Sequence, residues 1–75
     1  MYRVFSKQNC GYCTKAKALL EDLGEDFEVI TEFDVEAIKR VTNHKTFPFV
    51  FRDNTFIGGF SELEQTLSGV DILDF

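Results

Sequence analysis

A strand, a helix and a second strand fill the first 31 residues, and that order constrains the fold more than any other feature of the chain. Tyr2–Phe5 reads as a short strand. A helix follows from about Gly11 to Leu23, with Ala16, Leu19, Leu20 and Leu23 at helical spacing on one face. Gly24 is placed to end it in a left-handed conformation. Phe27–Thr31 is the second strand. Such a unit joins two parallel strands by a right-handed crossover.

The remaining segments add to that unit. Asp34–Val41 reads as a second helix with Asp34 as N-cap and Val35, Ile38 and Val41 toward the core. Residues 47–52, Phe-Pro-Phe-Val-Phe-Arg, are rich in β-formers. Asp53-Asn54 turns them into a short strand, Thr55–Ile57, which Gly58-Gly59 breaks. Ser61 can cap a last helix running to about Leu67. In the tail from 68 to 75, Val70, Ile72, Leu73 and Phe75 suggest packing on the rest. The expected fold is α/β, one mixed four-stranded sheet (βαβ, then α, then ββα) flanked by helices.

Seventy-five residues suffice for one domain over 1–75. A domain this small buries only roughly 60% of its unfolded surface. Nine Phe and two Tyr offset this with large buried areas. No apolar run approaches the ~20 residues of a membrane span, and the start is too short and mixed for a signal peptide. The expectation is a cytoplasmic monomer, in a reducing interior, with no membrane partner.

The net charge of −5 argues against a nucleic-acid partner. Its distribution says more. Residues 1–20 carry Arg3, Lys7, Lys15 and Lys17 and no acid; residues 21–36 carry eight acids and no base. The plain account is a helix with one solvated basic end. Both cysteines lie in that basic segment, however, and nearby cations stabilise a thiolate.

Cys10-Gly11-Tyr12-Cys13 sits where the first helix begins. The spacing brings two sulfurs within disulfide reach and leaves Cys10 at the exposed end. Unpaired N–H groups and the helix dipole there favour negative charge. With Lys7 and Lys15 nearby, the Cys10 pKa should fall within roughly 3.5–7.5. Cys13, a turn deeper, is the natural resolving thiol. A zinc site usually takes four N or S ligands, and this chain offers one cysteine pair and one histidine, His44, in a polar run that reads as a solvated turn. A structural staple does not suit a chain without a secretory segment. Near a βαβ pattern the pair reads as redox-active.

Two further features stay open on the residues alone. Pro48, the one proline, either simply starts a strand or holds a cis bond that aims the Phe47 backbone outward. Gly58-Gly59 before Ser61-Glu62 is either an ordinary turn and cap or a backbone anion site at a helix start.

Taken together, Ser6-Lys7-Gln8-Asn9-Cys10-Gly11-Tyr12-Cys13, Thr46-Phe47-Pro48, Ile57-Gly58-Gly59-Phe60 and Glu62 resemble the glutaredoxin family, dithiol type, from Tyr2 to about Leu67. The resemblance implies a thioredoxin-like fold, glutathione as co-substrate and thiol–disulfide oxidoreductase activity on protein disulfides and glutathione mixed disulfides. It makes Cys10 the nucleophile and Cys13 the resolving thiol. It places Lys7 at the thiolate and the glycine carboxylate of glutathione, and Tyr12 along the groove. The Phe47 backbone pairs with the cysteine part, and Phe60 and Ser61 receive the γ-glutamyl carboxylate; Thr46, Pro48 and Gly59 complete the glutathione site. The chain departs from the family pattern in three places. Gly11 stands where most dithiol members have proline, and is reminiscent of members holding a glutathione-ligated [2Fe–2S] cluster between two subunits. Glu62 stands where Asp is usual. For the helical Gln or Arg that often touches the glycine carboxylate, Arg40 and Lys45 are the candidates.

Two alternatives carry different chemistry. One is a redoxin recharged by thioredoxin reductase that feeds ribonucleotide reductase; Lys7, Tyr12 and the glycine pair with Ser61 favour glutathione instead. The other is an iron–sulfur carrier, resting on Gly11.

Overall fold

The computed structural model describes residues 1–68. Seven elements follow in order: β1 (Tyr2–Phe5), α1 (Gly11–Asp22), β2 (Phe27–Ile30), α2 (Val35–Thr42), β3 (Phe49–Arg52), β4 (Thr55–Gly58) and α3 (Phe60–Ser68). The sheet order is β2-β1-β3-β4. β1 and β2 run parallel, with Tyr2 opposite Phe27 and Phe5 opposite Ile30. β3 is antiparallel to both β1 and β4, with Val4 opposite Val50. This is the mixed sheet expected of the strand–helix–strand start and the hairpin. The tail's expected packing through Val70, Ile72, Leu73 and Phe75 lies outside the described residues.

Strand alternation sorts the side chains onto two faces. Tyr2, Val4 and Val50 join Ala16 and Leu20 of α1 and Leu63 of α3 in one buried cluster, with Leu19, Phe27, Ile57, Phe60 and Leu67 against it. The other set is aromatic. Phe33, Phe47, Phe49, Phe56, Phe51 and Phe5 form a closed circuit of ring contacts, with successive centroids 5.0–6.5 Å apart. Three of these pairs, Phe5–Phe33, Phe5–Phe51 and Phe47–Phe49, are edge-to-face, a geometry that adds about 0.5–1.5 kcal/mol per pair beyond burial. This is how a short chain turns its phenylalanines into a second layer.

Several local expectations change. Leu23 is half exposed because it is the C-cap of α1, where the chain leaves the helix toward Gly24 (φ +71°). Val35 and Val41 do not face the core, and Val41 is 80% exposed. At about 100° per residue, positions 35, 38 and 41 fan across roughly 120°, too wide for one flat contact; only the central Ile38 is partly covered. β3 begins at Phe49, not 47, because Pro48 has no N–H to give the ladder. β4 extends to Gly58, whose φ of +134° suits only glycine.

Candidate functional site

Asn9, in the left-handed region (φ +58°), turns the chain from β1 into α1; asparagine tolerates that conformation better than most residues. Cys10 is the N-cap of α1, with extended backbone. The Cys13 backbone N–H donates to Cys10 Sγ at 3.2 Å. The two sulfurs are joined as a disulfide, their Cα atoms 5.2 Å apart. Cys13 is 1% exposed, whereas Cys10 is partly open to solvent. An incoming thiolate therefore reaches Cys10 Sγ and not Cys13 Sγ.

From Cys10 a groove runs toward β3 and α3. Its first part, about 390 Å³, is lined by Lys7, Cys10, Tyr12, Lys39, Lys45, Thr46 and Phe47 among others. The second, about 240 Å³, shares Tyr12, Thr46 and Phe47 and adds His44, Gly59, Phe60, Ser61 and Glu62. Lys7, Tyr12, Thr46, Phe47, Gly59, Phe60 and Ser61, all singled out from the sequence, thus meet on one surface. Pro48 does not line it; it is buried behind Phe47, to which it is joined by a cis peptide bond. The Phe47 backbone lies ahead of the β-ladder, which starts at Phe49.

The groove is cationic at one end. Lys7 Nζ lies 5.1 Å from the centroid of the Phe47 ring, and Lys15 Nζ stands at the same distance from the Tyr12 ring. Such contacts hold a cation near an aromatic wall. Of the two candidates for the glycine-carboxylate end, Lys45 lines the groove and Arg40 does not. Arg40 lines a neighbouring cleft with Glu36, Lys39, Asn43 and Lys45. Lys39, which sequence reading passed over, is in the groove instead. Its one available signal is its position in the last turn of α2, three residues before the helix ends.

The far end is the start of α3. The helix begins at Phe60, so Ser61 lies in its first turn and is not the cap. Gly59 occupies the cap position, and its N–H donates to Glu62 Oε1 at 2.8 Å. This is the glutamate half of a capping box. A Cβ at Gly58 would come within 2.7 Å of the Glu62 side chain, and one at Gly59 within 3.3 Å of His44 Nε2. Gly58 is therefore required by close approach and by its positive φ, whereas a side chain at Gly59 would only press on His44.

His44 corrects a second expectation. It is not a solvated turn residue. Asn43, left-handed at φ 56°, ends α2 and folds the chain back, and the imidazole packs edge-on against Phe49 and Phe56 at 5.2 and 5.5 Å. Its Nε2 is 3.3 Å from Thr46 Oγ1. The asparagine at a helix end was the signal for that reversal.

Among the described residues no group of three or more His, Cys, Asp or Glu side chains could hold a metal ion. No helix among the described residues is long and apolar enough to cross a membrane.

A mixed sheet flanked by helices, with a Cys-x-x-Cys pair opening the first of them beside a cis-proline, defines a thioredoxin-like redox protein. Residues 3–57 match the glutaredoxin family model. Mitochondrial glutaredoxin-2 of Bos taurus and of Homo sapiens are each 36% identical over 70 residues, 83% of this chain but 44% and 42% of theirs. A Vernicia fordii glutaredoxin is 44% identical over 64 residues, 75% of this chain and 61% of its own. The chain thus spans less than two thirds of these relatives. Among solved structures, a buckwheat glutaredoxin–glutathione complex superposes with a TM-score of 0.80 at 34% identity, covering 91% of this chain and 69% of that one. The chain belongs to the glutaredoxin family.

Proposed function

We propose that this glutaredoxin is a glutathione-dependent thiol–disulfide oxidoreductase acting on protein disulfides and glutathione mixed disulfides. The observation that carries the reading is the unequal exposure of the two bonded sulfurs at the mouth of the groove. One glutathione thiolate attacks Cys10 Sγ, forming the Cys10–glutathione disulfide and releasing the Cys13 thiolate. A second glutathione attacks the glutathionyl sulfur, giving glutathione disulfide and the Cys10 thiolate. That thiolate then takes the glutathionyl group from a mixed disulfide, or opens a protein disulfide that Cys13 resolves. Low-pKa thiols both attack and leave readily, as exchange requires. The helix start, the Cys13 N–H and Lys7 all favour a negative Cys10 sulfur.

Glutathione carries two carboxylates, and the groove offers lysines at one end and the N–H groups of α3 at the other. The buckwheat protein's complex with glutathione supports the same ligand here. A reducing compartment such as the cytoplasm would supply it. The test couples glutathione and glutathione reductase to NADPH consumption with a small glutathione mixed disulfide. Wild type is expected to turn over and Cys10→Ser to be inactive. Turnover by Cys10→Ser, or none by wild type, would overturn the reading.

A further inference from the structure

A second cleft, about 530 Å³, shares Lys7, Asn9, Cys10 and Gly11 with the groove and extends from them past Thr14, Lys17 and Thr31. The groove runs toward β3; this cleft runs toward β2, on the other side of β1 in the sheet order. Its walls follow the C-terminal ends of the two parallel strands, through Gln8 and Asn9 after β1 and Thr31 after β2. That is where open α/β sheets place their ligands. The remaining wall is α1 itself. Thr14 and Lys17, four and seven residues beyond Cys10, share its helix face.

The cleft is positive in a protein of net charge −5. Lys7 and Lys17 both line it. Among the described residues the ion pairs are Met1–Asp53 and Arg3–Glu28, so Lys17 has no carboxylate partner. The eight acids of residues 21–36 begin only at Glu21. A negatively charged chain is repelled over much of the molecule and attracted beside Cys10.

We propose that this cleft docks the target polypeptide of the oxidoreductase reading above, and that it favours targets with Asp or Glu within two residues of the reactive cysteine. When Cys10 thiolate opens a target disulfide, Cys10–S–S–target forms and the other target sulfur leaves as thiolate. Cys13 then attacks Cys10 Sγ, freeing the second target thiolate; two glutathione thiols supply the electrons and become glutathione disulfide. During the mixed disulfide the target chain crosses Cys10. At roughly 3.3–3.6 Å per extended residue, one or two positions bring its flanking side chain over the cleft.

The test compares three disulfide peptides of equal length whose cysteines are flanked by Asp, Asn or Lys. Hydroxyethyl disulfide serves as a small uncharged substrate. Wild type should favour the Asp over the Asn peptide by about five- to tenfold in kcat/KM at low salt, and the preference should shrink in 0.5 M salt, as a steering charge requires. Lys17→Glu should abolish the preference and Lys17→Gln, which keeps much of the stem, should reduce it. Both should retain hydroxyethyl disulfide turnover. Turnover of that substrate without an acid preference, or a preference that survives Lys17→Glu, overturns the docking surface alone. A higher KM for glutathione in Lys17→Glu with the preference intact also overturns it, assigning the cleft to a small carboxylate. Failure of wild type on every disulfide overturns the oxidoreductase reading, and this one with it.

Discussion

Glu62 reaches back one helical turn to accept the Gly59 N–H at 2.8 Å, so the carboxylate that closes the groove also starts the helix behind it. Removing it should therefore be felt first as stability. Glu62→Ala should cost about 1 kcal/mol, the usual worth of a cap. In a domain this size that lowers Tm by roughly 4–8 °C. Glu62→Gln, whose amide oxygen can accept the same bond, should recover most of it. Thermal melts followed by circular dichroism decide; equal losses in both variants would mean the contact does not cap α3.

Cys13→Ser separates the two reactions. In the proposed reaction the buried Cys13 sulfur serves only to resolve protein disulfides. The variant should keep deglutathionylation of small mixed disulfides within about threefold, losing protein disulfide reduction and accumulating a Cys10-linked species visible by intact mass.

Gly11→Pro should stabilise the chain. Position 11 is the first residue of α1, where proline's missing N–H is no loss. Cys10 is extended (φ −111°, ψ 104°), as the residue before proline prefers. A Cβ at Gly11 meets nothing within 4 Å. The expected gain is about 0.4–1 kcal/mol in urea unfolding, through a less flexible unfolded chain. A loss would show that the turn between the two cysteines needs glycine's freedom.

Lys39 and Arg40 are adjacent on α2 and share one cleft, but only Lys39 also lines the groove beside Cys10. Lys39→Ala should raise the KM for a glutathione mixed disulfide about two- to fivefold, in keeping with one partly exposed ion pair. Arg40→Ala should leave it unchanged. Steady-state kinetics of the pair at low salt checks this.

The parts legible from sequence are those set by local pattern. The strand and helix order, the Cys10–Cys13 pair, the turn at Asp53 and the stop at Gly24 each follow from residues adjacent in the chain. The choice of Thr46, Phe47, Gly59 and Phe60 comes from the family resemblance, because Pro48 and Gly58-Gly59 by themselves each leave an ordinary structural reading open. What escaped were contacts that only the folded chain creates. His44 lies in a polar run, and its burial depends on the reversal at Asn43. The start of α3 depends on a side chain reaching back from Glu62, which makes Ser61 look like a cap it is not. Lys39 and Arg40 cannot be told apart until the axis of α2 is fixed against the sheet. The spread of Val35, Ile38 and Val41 is legible in retrospect, since a strict three-residue spacing drifts around a helix.

Phe47 belongs to two structures at once. Its ring is a link in the closed aromatic circuit, and the same residue walls the groove beside Cys10. The ligand surface thus has no hinge of its own on that side. Its position is surveyed from the sheet, through Phe49, Phe56, Phe51 and Phe5, and back through Phe33. A substitution at Phe51 on the sheet would be transmitted as a misplaced wall, so that affinity for the co-substrate becomes a gauge of how well the far face of the sheet is packed.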